Sequence, residues 1–441
     1  MKISIPLETV VREFDAGIYL SLKLVESGHE VYIGRSTAIN HSFDMIDPDI
    51  YISKCGPVER ELADKIRGKI LLLDPEGGIF RTGKEYSNRI NPERLDGVDY
   101  YLAWGESTAN IVEKNSTNTN VVVTGNPRFD LLQPPLRSIY QDRSAKIVDE
   151  YGEYILINTK FSISNHESGT SPPENELDRD ESTYEYNANL FLEFIDMIQE
   201  LSKHCKDEII IRPHPSENFD TYRDIFSGYD HIHTIHEGDV RKWIAGSRLV
   251  IHNSCTTGVE AALMNKKVYA YDPVPNSDPT IRSEIPNYIS IQREDLDTLI
   301  RDVKEDVNQG TEPYFLDSSE KDVLSKYIGN VDYSSSDRIV NLINSISDDS
   351  FAKDTTTYSP DLYELAKRVL GSFIGHKSLH MIRNTGLKGS WSVSAQKFPY
   401  LSDREVQNKI GQFDDFDNIP NVGFERVKEL ENTFHIYNND S

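Results

Sequence analysis

The sequence predicts an α/β protein of two doubly wound parallel-sheet halves with a C-terminal tail, and three observations carry that expectation. Short β-branched, apolar runs alternate with helical spacings along most of the chain, the pattern of repeated strand-helix-strand units. Two strand ends, Arg212-Pro213-His214-Pro215 and His252-Asn253-Ser254-Cys255-Thr256-Thr257-Gly258-Val259-Glu260, have the composition of turns that hold phosphate at the carboxyl edge of such a sheet. With 441 residues, 37% of them hydrophobic, the chain can fill two ordinary cores.

In the first half, Lys2 to Ile5 reads as a strand, and Val11 to Ser27 as a helix with Phe14, Ile18, Leu22 and Val25 on one face, stopped at Gly28. Strands follow at Glu30 to Ile33, Ile50 to Ser53, Lys69 to Leu73, Tyr100 to Ala103 and Asn120 to Thr124. Helical stretches from Val58 to Ile66 and from Ser107 to Lys114 lie between them. The segment Pro127 to Ala145, with Pro134 and Pro135, reads as the link to the second half.

That half begins with a strand from Tyr154 to Asn158 and a polar stretch, Ser162 to Tyr186, of a length that marks a functional or irregular loop. Next come a helix Ala188 to His204 and strands Glu208 to Ile211 and His231 to Ile235. A helix Val240 to Ala245 and the strand Leu249 to His252 precede a helix opening at Thr257. The strand Val268 to Tyr271 and the helix Leu296 to Val307 complete the half. From Asp348 an acidic, Ser/Thr-rich linker leads to an amphipathic, net-basic stretch, Leu362 to Arg383.

The junctions carry the chemistry. Glu208-Ile209-Ile210-Ile211 delivers Arg212 and His214 to a strand end, and the amides at the helix start near Thr257, with the hydroxyls of Ser254, Thr256 and Thr257, make an anion site. Lys160 follows the first strand of this half and is placed to meet a donor or simply to face solvent. Glu260 is a candidate acceptor for ribose hydroxyls. Arg128, after Gly125-Asn126-Pro127, either binds a carboxylate or phosphate or belongs to a hinge turn. Asp74 and Glu76, in Asp74-Pro75-Glu76-Gly77, are either a general base or the acids of a strand-ending turn; Glu76 is favoured because Gly77 and Gly78 leave its backbone approachable.

Composition excludes other classes. A formal charge of −25 argues against a nucleic-acid partner, because phosphate backbones are met by basic surface. Cys55, Cys205 and Cys255 have no metal-ligand spacing and read as reduced thiols. His231, His233 and His236 read as a partly exposed strand, and Asp178-Arg179-Asp180 as a solvated loop, so no metal site is expected. Met1 leads into a strand with no signal-peptide core, and no apolar run reaches spanning length, so a cytoplasmic protein is expected.

Seven ordered blocks carry a resemblance. They are Arg12-Glu13-Phe14-Asp15-Ala16, Leu73-Asp74-Pro75-Glu76-Gly77, Trp104-Gly105-Glu106, Thr124-Gly125-Asn126-Pro127-Arg128-Phe129-Asp130, Asn158-Thr159-Lys160-Phe161, Arg212-Pro213-His214-Pro215-Ser216-Glu217-Asn218 and His252 to Glu260. Over roughly residues 1 to 400 the chain resembles the surface carbohydrate biosynthesis proteins, which are similar to β-Kdo and other nonulosonate transferases of capsule and lipopolysaccharide assembly.

The resemblance implies a GT-B-like architecture, two Rossmann-like domains facing a cleft. It divides the chain into an acceptor-side domain at 1–145, a nucleotide-sugar donor domain at 150–345, and a linker and partly helical tail at 346–441. It also implies a metal-independent glycosyltransferase without a bound cofactor, which moves an acidic sugar from a CMP donor to a surface or lipid-linked glycan. Arg212, His214, Asn253, Ser254, Thr256, Thr257, Glu260, Lys160 and Arg128 are expected at the donor, with Glu76 or Asp74 as base and His214 balancing phosphate charge. Pro75 stands where such transferases carry the first of two adjacent acids. The alternatives are a CDP-polyol phosphotransferase of the teichoic-acid type, a UDP-sugar 2-epimerase, or a noncatalytic glycan-assembly scaffold. The basic cluster within 362–383 is expected either to touch the inner membrane face or to pack on the body of the protein.

Overall fold

The computed structural model describes every residue except 55–62, 81, 117, 168–180, 276–282, 330, 332–333, 347–359, 361, 379–396, 415, 417–420 and 441. The chain forms two compact units, one from Met1–Leu131 with Ser325–Ser441 and one from Leu132–Leu324.

In the first unit, β1 (Lys2–Leu7), β2 (Glu30–Arg35), β3 (Ile50–Ser53), β4 (Lys69–Leu72), β5 (Tyr100–Ala103) and β6 (Asn120–Val123) lie parallel in the order β2-β1-β3-β4-β5-β6. Strand order reverses between β1 and β3, the position where open α/β sheets have their ligand crevice. The helix Val10–Glu26 buries Phe14, Ile18, Leu22 and Val25 as its spacing predicts. Its last carbonyls are closed by the amides of Gly28, at φ 84°, and His29, a left-handed stop that glycine adopts without strain. The expected helix Val58 to Ile66 lies mostly outside the described residues.

The second unit has six parallel strands: β7 (Tyr154–Asn158), β8 (Glu208–Arg212), β9 (Ile232–Thr234), β10 (Leu249–His252), β11 (Lys267–Tyr271) and β12 (Ile291–Arg293). Their order, β12-β11-β10-β7-β8-β9, is that of a dinucleotide-binding Rossmann sheet, with the switch point between β7 and β10. β7 is buried along its whole length, as a central strand covered on both faces must be. Phe161, Phe194, Tyr222 and Tyr271 join its core. The helix Glu181–His204 starts within the stretch expected to be loop, because Tyr186 and Leu190 add another turn to its buried face.

The domain boundaries differ from those the sequence suggests. Residues expected to link the halves form a short helix, Pro127–Asp130, and a longer one, Gln141–Tyr151, that packs on the helix Val240–Gly246 through buried Ser144 and Ile147. The break therefore falls at Leu131, and the end of the chain returns to the first unit. There Asp130 accepts from the amides of Ser335 and Ser336 at 2.7 and 2.8 Å, fixing the start of the helix Ser335–Ser345. Strands β13 (Val422–Arg426) and β14 (Thr433–Asn438) form a hairpin, and β14 pairs antiparallel with β2 through Phe434 and Ile436, both fully buried. The expected tail thus completes an eight-stranded sheet.

In the stretch that opens with the helix Leu362–Ile374, expected either to touch the membrane face or to pack on the body, two of the basic residues turn inward. Arg368, 8% exposed, makes a bidentate pair with Asp44 at 2.8 and 2.9 Å and donates to the His41 carbonyl, while the buried His376 ring bonds the Lys428 carbonyl. Leu362, Val369 and Phe373 face solvent instead, at 86%, 54% and 84% exposure. Lys377 is exposed, whereas Arg383 lies outside the described residues. No helix among the described residues is long and apolar enough to cross a membrane.

Candidate functional site

In the second unit, pairing registers bring three predicted junctions into line. Asn158 at the end of β7 is opposite Arg212 on one side and His252 on the other. The following loops are laced together. The Asn253 amide donates to the Lys160 carbonyl at 3.2 Å, and Glu217, fully buried, accepts from the Thr159 hydroxyl at 3.0 Å, the His214 amide at 2.9 Å and the Tyr222 hydroxyl at 2.6 Å. Burial raises the Glu217 carboxyl above its ordinary range despite those donors.

His214 is held at the surface. Its Nδ1 lies 2.7 Å from the Ser216 hydroxyl and 3.3 Å from the Ser216 amide nitrogen. His252 is its opposite, fully buried and pushed down to about 3, with Nδ1 taking the Cys255 amide and Nε2 bonded to Ser290 at 3.0 Å. It is a packing histidine. A Cβ on Gly258 would come within 2.4 Å of its Nε2, so only glycine lets the following helix lie against the ring.

The serine and threonine cluster is arranged in part as expected. Ser254 adopts φ 58°, a left-handed conformation costly for a residue with a side chain, and its hydroxyl donates to Asn287 at 3.0 Å. Thr256 caps the helix Thr257–Leu263 with no side-chain bond to it. Thr257 is half-buried beside the Cys255 thiol, which burial pushes up, and Glu260 is half-buried one turn further on. Lys160 is exposed.

Two features depart from the expected site. The Arg212 guanidinium donates to the carbonyls of His236, Glu237 and Gly238 at 3.2, 3.1 and 2.9 Å and lies over the Trp243 ring, where burial pulls it down to about 10. It braces the 236–238 turn, and a phosphate would compete with three carbonyls for it. Conversely, the Asn158 amide, 2% exposed, has no hydrogen-bond partner on either its nitrogen or its oxygen, and neither has Oδ1 of Asn253. In the sequence Asn158 stands out only as a strand end and as the first residue of a resemblance block. Among the described residues, no group of histidine, cysteine and carboxylate side chains is disposed to hold a metal; Cys55 and Asp178 to Asp180 lie outside them.

In the first unit the two candidate acids part company. Asp74 is fully buried and clamped: Arg89 donates to both its oxygens at 2.8 and 3.1 Å, with the Tyr86 hydroxyl and the Glu76 amide at 3.0 Å. Glu76 is 60% exposed, between Arg12 at 3.5 Å and Arg89 at 3.6 Å, and so is not the shielded carboxylate expected of a general base. Arg128 stacks over Trp104 at 4.5 Å and donates to the Pro75 carbonyl at 3.4 Å.

Sheet order and junction chemistry define an α/β protein of two Rossmann-like units, GT-B-like in fold, whose second unit has unpaired buried polar atoms at its switch point. Among solved structures, UDP-GlcNAc 2-epimerase from Methanocaldococcus jannaschii is similar, with a TM-score of 0.51 and 14% identity over 78% of this chain and 99% of that one. The wall teichoic acid polymerase TagF, in a crystal soaked with CDPG, has a TM-score of 0.50 and 13% identity over 78% of this chain and 87% of its own. At such identities the likeness is one of fold. By sequence the chain matches no family model and no curated protein.

Proposed function

We propose that this chain is a glycosyltransferase whose second unit binds a nucleotide-linked sugar at the β7/β10 switch point. The observation that carries this reading is the uncommitted Asn158 amide beside the Asn253 carbonyl oxygen. Leaving buried polar atoms unpaired costs about 1–3 kcal/mol each, so their persistence at a ligand crevice favours a ligand that pairs them. Strain at Ser254 and the surface position of His214 support the same place.

The donor we favour is a CMP-linked acidic sugar of the nonulosonate type, and the acceptor a surface or lipid-linked glycan. In the transfer, the acceptor oxygen bonds the anomeric carbon as the bond from that carbon to the CMP phosphate oxygen breaks. The phosphate keeps the electron pair, with His214 donating to it, and the hydroxyl proton passes to a carboxylate.

A thermal-shift panel of CMP, CDP, UMP and UDP tests the donor. A ligand at 100 times its Kd stabilises the unit that binds it by about 2.7 kcal/mol. Selective stabilisation by CMP is expected; selectivity for uridine nucleotides overturns the donor assignment, and no response from any of the four overturns the nucleotide site. His214→Ala is expected to fold normally and lose transfer by about 100-fold or more.

A further inference from the structure

The first unit has a crevice of its own that the nucleotide reading does not use. At its β1/β3 switch point lies a small, solvent-open pocket. The carboxyl ends of β1, β3 and β4 and the turn after β6 surround it, with Ile52 and Leu73 among its apolar lining.

Among the described residues its charged groups are Arg12, Lys54, Arg128 and Glu13, with the exposed Glu76 3.5 Å from Arg12. Glu13, with its side chain 7% exposed, anchors the set: it accepts from Arg12 at 3.3 Å and from the Glu8 amide at 2.9 Å, and Lys54 is 3.9 Å away. Burial pushes its carboxyl up, but Lys54, the Glu8 amide and Arg12 outweigh burial and hold it below its ordinary range. It is therefore ionised and keeps the cations in place. Arg128 is fixed by the Trp104 and Phe129 rings, 4.5 and 4.7 Å from its guanidinium carbon. Among the described residues, three cations against Glu13 and the exposed Glu76, which Arg89 also meets, leave the lining locally positive in a chain of formal charge −25, where net charge alone repels anions.

We infer that this pocket binds a sugar bearing one acidic group, a carboxylate or a phosphate, with the cations taking the acid and the apolar lining taking the ring. The inference uses only the first unit and stands whether or not the second binds CMP. Three cations anchored by ion pairs and ring stacking, on a rigid sheet edge, suit a charged ligand better than a neutral one.

Isothermal titration of the full chain tests it with glucuronic acid, N-acetylneuraminic acid and glucose 1-phosphate as probes, and with glucose and inorganic phosphate as controls. At least one acidic sugar is expected to bind more tightly than both controls, and the sugar acids and the sugar phosphate decide which acid is preferred. Arg128→Gln and Lys54→Met are each expected to weaken that probe by about 10-fold or more, while nucleotide binding, where present, is unchanged in Lys54→Met. Asn158→Leu is expected to do the reverse, so the two sites fail separately. The inference is overturned if no acidic sugar binds at about 10 mM, if glucose or inorganic phosphate binds as well as the acidic sugars, or if both folded variants bind like the wild type.

Discussion

The two units place their crevices at equivalent points of related sheets and furnish them in opposite ways. In the first, every candidate acid already has its counter-charge: Asp74 holds Arg89, and Glu13 and Glu76 share Arg12. In the second, the central polar side chain is neutral and unpaired, and Glu217, the one buried carboxylate among the described residues, is met only by hydroxyls and amides. A switch point made of ion pairs is organised before any ligand arrives. One lined by orphan amides reaches its lowest free energy only when something fills it.

The largest test of this contrast is Asp74→Ala. Removing one member of a buried pair strands the other, so unfolding of the first unit in denaturant is expected to become easier by about 3 kcal/mol or more. A variant that unfolds like the wild type but fails in transfer breaks the contrast and restores Asp74 as a catalytic group. Asn158→Leu is the converse: without ligand the second unit is expected to keep or gain up to about 1 kcal/mol, while stabilisation by nucleotide disappears.

Titration sharpens the comparison at smaller amplitude. The folded-state pKa of Glu13 is lowered from 4.5, so its contribution is present above that value and lost as pH falls through the folded pKa. That of Glu217 is raised from 4.5, so its contribution is present below that value and lost as pH rises through the folded pKa. Followed by denaturation between about pH 3 and 7, Glu217→Gln is expected to gain on the wild type as pH rises, and Glu13→Gln to fall further behind it. Parallel curves for the two variants would remove the electrostatic distinction between the units.

Where the sequence can be read locally, it anticipates this structure well. The buried parallel strands are continuous apolar runs, so the ends of β7, β8 and β10 and the residues they deliver follow from periodicity. Side-chain commitments do not. Whether Arg212 meets phosphate or the carbonyls of residues 236–238 depends on a turn more than 20 residues away, and the fate of Asp74 on Arg89, 15 residues on. The hairpin β13–β14 is illegible for a similar reason: Phe434 and Ile436 alternate as a strand should, but their partner β2 lies some 400 residues earlier. Asn158 and Glu217 stood in plain view, yet one matters for the bonds it lacks and the other for the loops it joins, and neither is a property of residue type.

The return of β14 to β2 also sets a timetable for synthesis. The second unit is one unbroken stretch, so all its strands have been made once Leu324 has left the ribosome. The first unit at that moment has β2 as a bare sheet edge, its backbone donors and acceptors open to any passing strand, until Thr433–Asn438 is made. The part of the protein that begins first is finished last, and in the interval the nascent chain is vulnerable at β2.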